Sequence, residues 1–369
     1  MKKILFYIPS LGGGGAEKVL ITLLKRLSKE KYTITVLTNT NDGIYFDNMP
    51  DNINIIHLFN KEKKFTIRLY KRIFKYLPAK ILYQAFIKDV YDFEISFLEG
   101  EGVKLLSAST SNSNKIAWIH TDLYNFHWTK NIFKNFKEEK SYLDKFQKII
   151  CVSNDAKKGF EKLYGDSDKV EVIYNPIDIE DIESKSVEIP VYFNKFTICS
   201  VGRLIDVKGY DRLISVHKKL LDDGYDHDLL ILGDGIKRSE LAKKIIELKV
   251  NNSVKLLGFI SNPYPYIKAC DLYVSSSKVE GFPLVISEAL ILKKAILSTN
   301  CSGSSEILDE GKYGILVENS ERGLYKGIKK IFDDKSILMK FSDLANSRKQ
   351  FFTINKIISH IESIFDEKI

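Results

Sequence analysis

The residues best suited to chemistry lie in the second half of the chain. The run Gly202-Arg203-Leu204-Ile205-Asp206-Val207-Lys208-Gly209 follows an apolar, β-rich stretch. Arg203 and Lys208 therefore fall in the loop at the carboxyl edge of a strand, where open α/β sheets bind ligands. A planar guanidinium fork beside an ammonium point charge suits a diphosphate; a solvated basic loop is the plainer alternative for either cation alone. Further on stands Glu280-Gly281-Phe282-Pro283-Leu284-Val285-Ile286-Ser287-Glu288. Pro283 suits a first helical position, which leaves first-turn N–H groups free beside Glu280. From the loop Glu280 can reach sugar hydroxyls, and Glu288, inside the helix, can accept from a ribose. A capping Glu and a solvated helical Glu would explain two random carboxylates, less well with Gly, Phe and Pro packed between them.

A second anion-seeking feature lies near the start. Gly12-Gly13-Gly14-Gly15 enters a helix whose Val19, Leu20, Leu23, Leu24 and Leu27 share one face. Backbone N–H groups in such a loop can approach an anion closely, helped by the helix dipole. The loop lacks the Gly-Lys-Ser/Thr of a Walker motif. Glu17 stands where a dinucleotide fingerprint needs its third glycine, and Thr38-Asn39-Thr40 where it needs an acid. A tight turn without a ligand stays open. His120 ends an apolar run, and Glu99 and Glu101 follow another, so all three should rim a sheet edge. Solvated loop carboxylates are the plainer reading of the two acids. Asp166-Ser167-Asp168 and Asp226-His227-Asp228 have the Asp-x-Asp form that binds metal elsewhere. Both precede strands, at the wrong edge, and no metal or other cofactor is expected.

The elements that must position these residues are short β-rich runs alternating with helical stretches. The first series is 4–8, 32–37, 53–58, 93–97, 116–119, 149–152 and 172–174. The second is 196–201, 229–232, 254–257, 272–274, 295–297 and 314–317. Runs apolar on both faces fit parallel strands covered by helices on each side. Two series fit two doubly wound, Rossmann-like α/β domains better than one long sheet. Residues 175–195, with Pro176, Pro190 and little apolar periodicity, form the join. The expected domains are 1–190 and 191–349, with a terminal helix at about 350–369 that packs back on the first.

Composition is that of a globular protein. Hydrophobic residues make up 44% and charged residues 28%, which excludes a disordered chain. No apolar run is long enough to cross a bilayer. The basic-then-apolar start resembles a signal peptide but is short and stopped by Pro9, so it reads as a buried first strand. Cys151, Cys199, Cys270 and Cys301 form no CxxC pair. They imply a reduced cytosolic protein without structural zinc. A formal charge of +8 permits phosphorylated ligands, anionic lipid or nucleic acid and selects none.

The ordered set of motifs resembles glycosyltransferase family 4, the large retaining group with the GT-B fold, in its bacterial surface-polysaccharide type. The matching segments are Gly14-Gly15-Ala16-Glu17, Tyr174-Asn175-Pro176-Ile177-Asp178, Gly202-Arg203 with Lys208-Gly209, Leu232-Gly233-Asp234-Gly235, Val254 to Gly258, and Glu280 with Glu288. They span nearly the whole chain. The resemblance implies two Rossmann-like domains facing a cleft, acceptor on the first and nucleotide on the second. It implies that Arg203 and Lys208 hold the diphosphate and stabilise the leaving group, that Glu280 orients the sugar, and that Glu288 binds the ribose. Gly233, Gly281 and Phe282 would add donor contacts, and Gly14 and Gly15 would approach the donor. His120 is similar to the family histidine beside the reacting sugar. Retention in the family is attributed to attack from the leaving-group face, with no enzyme nucleophile.

The implied partners are a nucleotide-sugar donor, a UDP-sugar foremost, and a saccharide acceptor, lipid-linked in similar bacterial enzymes. Residues 61–88 carry nine Lys or Arg against Glu62 alone, interleaved with Phe65, Tyr70, Phe74, Tyr76 and Phe86. Such a segment can lie in the headgroups of anionic lipid; a domain helix with solvated lysines is the bland alternative. Lys71, Arg72 and Lys75, with Glu99 and Glu101, are the acceptor- or membrane-side candidates. The expected location is the cytoplasm, at the inner face of the cell membrane. Nucleic-acid binding lacks any supporting motif. A nucleotide-sugar epimerase on the same fold, or a non-catalytic nucleotide-sugar-binding adaptor, are the competing readings.

Overall fold

The computed structural model describes residues 1–41, 43–59 and 74–367. The chain divides into two compact units, Met1–Pro176 with Ile354–Ile369, and Ile177–Thr353.

The first unit is built on a seven-stranded parallel sheet. Its strands are β1 (Lys2–Tyr7), β2 (Tyr32–Thr40), β3 (Asn54–Phe59), β4 (Phe93–Ser96), β5 (Asn114–Ile119), β6 (Lys148–Cys151) and β7 (Val170–Val172). They lie in the order β3-β2-β1-β4-β5-β6-β7. Central β1 is buried from Ile4 to Tyr7, which is why its residues are apolar without alternation. Helix Gly15–Arg26 covers it with Val19, Leu20, Leu23 and Leu24. Each such side chain contributes about 1.5–3 kcal/mol when withdrawn from water. Strand β7 begins two residues before the expected 172–174. The terminal helix Ile354–Asp366 belongs to this unit, where Phe365 packs edge-on against Phe6 and Tyr32, and Glu362 accepts from the Ser28 N–H at 3.0 Å.

The second unit holds β8 (Thr197–Val201), β9 (Asp228–Leu232), β10 (Val254–Gly258), β11 (Leu272–Ser275), β12 (Ala295–Thr299) and β13 (Ile315–Val317). The order is β10-β9-β8-β11-β12-β13, all parallel. Helix Tyr210–Asp222 buries Leu213, Ile214, Val216 and Leu220 against Ile198, Leu229 and Ile231.

The boundary falls at Pro176–Ile177 and not near 190. Helix Ile179–Lys185 stays with the second unit because Asn262 donates to the Lys185 carbonyl at 2.9 Å and to Glu188 at 2.8 Å. At the other end the short helix Lys349–Phe352 also remains there, so the first unit regains the chain only at Ile354.

In each sheet the chain winds outward from two adjacent strands, β1 and β4 in the first and β8 and β11 in the second. Open α/β sheets bind ligands at the carboxyl ends of such a pair of strands. Among the described residues, no helix is long and apolar enough to cross a membrane.

Candidate active site

In the second unit, the loops after β8 and β11 meet at the switch point. Lys208 Nζ lies 2.5 Å from Glu280 Oε1, and Ser277 Oγ donates to the same oxygen at 2.6 Å. Both charged side chains are largely covered, 18% and 13% exposed, so their attraction is screened far less than at an open surface. Backbone and side-chain bonds zip the loops together: Lys278 N–H donates to the Val207 carbonyl at 2.7 Å, and Ser276 Oγ to the Lys208 carbonyl at 2.8 Å. Arg203 stands exposed on the same loop, and its guanidinium has no hydrogen-bond partner among the described residues. Leu204, buried beside it, anchors the loop by donating its N–H to the Asp234 carbonyl at 2.9 Å.

Gly233 has a packing reason to be glycine. Its φ is +140°, and an added Cβ would sit 2.0 Å from the Gly202 carbonyl oxygen. Phe282 and Glu288 are buried, at 6% and 4% exposure, and Gly281 beside Phe282 is buried too. Glu288 is therefore an internal carboxylate of helix Leu284–Ile291 and not a solvated one. Pro283 is the cap of that helix, one place before the expected first helical position.

The first unit gathers its polar side chains at the carboxyl edge beside β1 and β4. Tyr7 Oη donates to Asn39 Oδ1 at 2.7 Å, and Asn39 Nδ2 to Glu101 Oε2 at 2.9 Å. Glu99 is 2% exposed and accepts from the His120 N–H at 2.8 Å and from Trp128 Nε1 at 3.1 Å. Burial pushes the Glu99 carboxyl above its ordinary range, against the hydrogen bonds it accepts. Neither acid is thus a solvated loop carboxylate: Glu101 joins a network and Glu99 braces the backbone that carries His120. Burial pushes the His120 imidazole down to about 3, so it is neutral near pH 7. Its Nε2 is buried without a hydrogen-bond partner among the described residues.

The glycine loop contains its own anion. Glu17 Oε2 accepts from the Gly13 and Gly14 N–H groups, each at 2.6 Å, and Oε1 accepts from Ser10 Oγ at 2.7 Å. Gly14 caps the helix, Glu17 is its third residue, and exposed Gly15 opens it. The Gly14 N–H is therefore committed within the loop. An N-cap followed by Glu at the third helical position is a readable capping signature, and it was the signal to follow at Glu17.

Lys71 and Arg72 lie outside the described residues. Lys75 is partly exposed, and buried Lys104 donates to its carbonyl at 3.0 Å and to that of Phe74 at 2.6 Å. Nothing in the sequence marks Lys104 as buried, since a lysine between Val103 and Leu105 in a short helix reads equally well as a solvated side chain. The Asp-x-Asp strings precede β7 and β9 at the amino ends of those strands, and Asp226 pairs with Lys195 at 2.9 Å. Among the described residues, no three His, Cys, Asp or Glu side chains are grouped to hold a metal ion.

Comparison with known proteins matches both units. Residues 13–181 fit the family described as Glycosyltransferase Family 4, and residues 181–348 fit Glycosyl transferases group 1. From Campylobacter jejuni, N-acetylgalactosamine-N,N'-diacetylbacillosaminyl-diphospho-undecaprenol 4-alpha-N-acetylgalactosaminyltransferase is 29% identical over 364 residues, 97% of each chain. A second C. jejuni enzyme, an alpha-1,4-N-acetyl-D-galactosaminyltransferase acting on a diNAcBac-PP-undecaprenol-linked saccharide, is 24% identical over 97% of this chain and 96% of its own. The crystal structure of Anabaena HepE in complex with UDP and glucose superposes with a TM-score of 0.80 at 22% identity, over 100% of both chains. That likeness is one of fold. With both halves matched in order, the chain belongs to glycosyltransferase family 4 and is a glycosyltransferase of the GT-B fold.

Proposed function

We propose that this glycosyltransferase moves a hexose or N-acetylhexosamine, with retention, from a UDP-sugar to a lipid-linked saccharide in surface-polysaccharide assembly. The observation that carries the reading is the pairing of Lys208 with Glu280 at the second sheet's switch point, with the Arg203 guanidinium beside it. A diphosphate arriving there brings negative charge to Lys208 and Arg203, which share the charge that grows on it as the sugar leaves. No metal is needed in this scheme. Such fixed charges act at full strength because they need no reorganisation at the moment of reaction.

In this scheme Glu280 orients the sugar through its hydroxyls, and Glu288 receives the ribose. Gly281 and Phe282 add donor contacts, while Gly233 and Gly15 allow close backbone approach; Gly14 supplies shape and not a hydrogen bond, its N–H being held by Glu17. His120 Nε2, neutral and unpartnered among the described residues, is ready to exchange a hydrogen bond with the transferred sugar. Glu280 is not assigned as a nucleophile in this scheme: its Oε1 takes both Lys208 and Ser277, and its role is to orient the sugar.

The acceptor class rests on the activities for which the C. jejuni relatives are named, which act on diphospho-undecaprenol-linked substrates. A cytoplasmic enzyme at the inner membrane face fits such an acceptor. Tyr76, Leu77 and Ile81 are exposed beside Lys75 and Lys80, a composition suited to anionic headgroups.

A thermal-shift comparison of UDP-, GDP- and ADP-sugars tests the donor. A ligand at 100 times its Kd stabilises the fold by about 2.7 kcal/mol, so the UDP-sugars should raise Tm and the others should not. The donor that does so should then be transferred to an undecaprenyl-diphosphate saccharide. Stabilisation by GDP- or ADP-sugars alone overturns the donor assignment, and transfer only to free sugars overturns the acceptor.

A further inference from the structure

Glu280 owes its position to more than Lys208. Arg212, in the first turn of helix Tyr210–Asp222, reaches across to the end of β11. Its Nε and Nη2 donate to the Ser276 carbonyl at 3.0 and 2.6 Å, and Nη2 donates also to the Ser277 carbonyl at 3.0 Å. Nη2 lies 2.7 Å from Asn319 Oδ1 as well, and Asn319 Nδ2 donates to the Lys278 carbonyl at 2.8 Å. Ser276 and Ser277 are buried, at 1% and 3% exposure, where the chain has left the sheet and its carbonyls need other donors. The Thr299 hydroxyl donates to the Ser277 carbonyl at 2.5 Å. Ser277 then holds Glu280 through its own hydroxyl.

We infer that Arg212 is the positioning residue for Glu280: its guanidinium fixes the backbone of residues 276–278, and through Ser277 Oγ sets where the Glu280 carboxylate stands. Only a planar fork serves here, since three acceptors from two segments converge on one side chain and an ammonium is a point donor. Gly209 shows how close the two loops come. At φ +64°, a Cβ there would lie 2.3 Å from the Ser276 oxygen and 2.7 Å from Arg212 Nε.

The inference rests on the reading of Glu280 as the group that orients the transferred sugar, and its test is arranged to separate the two. Arg212→Lys and Arg212→Ala are compared with the wild type by amide hydrogen exchange over residues 276–281, by UDP affinity, and by sugar release from UDP-glucose and UDP-N-acetylgalactosamine. Exchange over 276–281 should speed about tenfold with the rest of the second unit unchanged. A displacement of about 1 Å at a reacting group costs on the order of 100-fold in rate, so kcat should fall by that order in Arg212→Ala. The Kd of UDP, which lacks the sugar, should stay within about threefold, and Arg212→Lys should recover part of kcat. Unchanged exchange at 276–281, or exchange raised throughout the unit, overturns the inference; so does wild-type kcat in Arg212→Ala. A wild type that neither binds UDP nor turns over either sugar refutes the donor reading, and the exchange data then decide the role of Arg212 alone.

Discussion

Lys208 Nζ and Glu280 Oε1 stand 2.5 Å apart although 72 residues separate them in the chain. Each is the other's counter-ion, at the sheet edge where a donor is proposed to bind. Removing one leaves a poorly solvated charge alone, which is costlier than the pair is stabilising. Lys208→Ala and Glu280→Ala should therefore fold, since the remaining partner is not fully buried and can reach water. Transfer should fall by about 100- to 1,000-fold in each, the loss seen when one fixed charge is removed from a developing anion. The double variant should lose little more, because the two act on one event. Wild-type turnover in either single variant would remove this pair from the reaction.

Glu17 gives a prediction about stability. Its carboxylate satisfies the N–H of the cap residue Gly14 and that of Gly13 before it, and adds negative charge where the dipole favours it. Loss of a capping side chain costs about 0.5–2 kcal/mol, so Glu17→Ala should lower the urea midpoint accordingly. Glu17→Gln keeps an acceptor and loses the charge, so its cost should be about 0.3–1 kcal/mol. Chemical denaturation of the three proteins checks the order, and equal midpoints for wild type and Glu17→Ala would show the contacts to be incidental.

Much of this was legible in the chain because parallel strands buried on both faces announce themselves as unbroken apolar runs: central β1, β8 and β11 lie on such runs, whereas β7, interrupted by Glu171, stands two residues before its expected place. The loop positions of Arg203 and Lys208 were readable for a related reason: they come after the β8 run, so strand direction fixes the edge at which they lie, while Glu280 was placed from the Gly-Phe-Pro segment that precedes the next helix. The domain boundary was not legible, because Pro176 and Pro190 punctuate the join equally and helix Ile179–Lys185 is assigned by tertiary contacts, among them the bonds from Asn262 and the pairing of Glu183 with Lys349. Arg212 escaped notice since a helical arginine has no sequence mark that separates a solvated side chain from one turned to a distant carbonyl. Glu99 and Glu101 were misjudged as exposed because their partners, Trp128, Asn39 and Tyr7, come from separate segments.

A last prediction concerns pH. His217 and His227 are buried, at 2% and 0% exposure, and form one chain of hydrogen bonds. His227 Nδ1 lies 2.8 Å from the Tyr225 carbonyl, which can only accept, so Nδ1 carries the proton and Nε2 accepts. His217 Nδ1, 2.9 Å from that Nε2, must then donate, leaving its own Nε2 to accept from Ser253 Oγ at 2.8 Å. Both rings are neutral in this arrangement, and a second proton on His227 would set its Nε2–H against the His217 Nδ1–H donor. Burial pushes His217 down to about 3, aided by His227, and burial lowers His227 as well against the pull of the Tyr225 carbonyl, Asp228 and Asp226. The unfolded chain titrates near 6.5. Above that value neither state binds the protons, and the contribution is fully present. Between about 6.5 and the folded values the unfolded chain binds more, so stability must fall as pH falls. Urea midpoints at pH 7.5 and 5.0 should show this loss in the wild type and a smaller one in a His217→Leu/His227→Phe double variant. Parallel losses in the two proteins would place the acid sensitivity elsewhere in the chain.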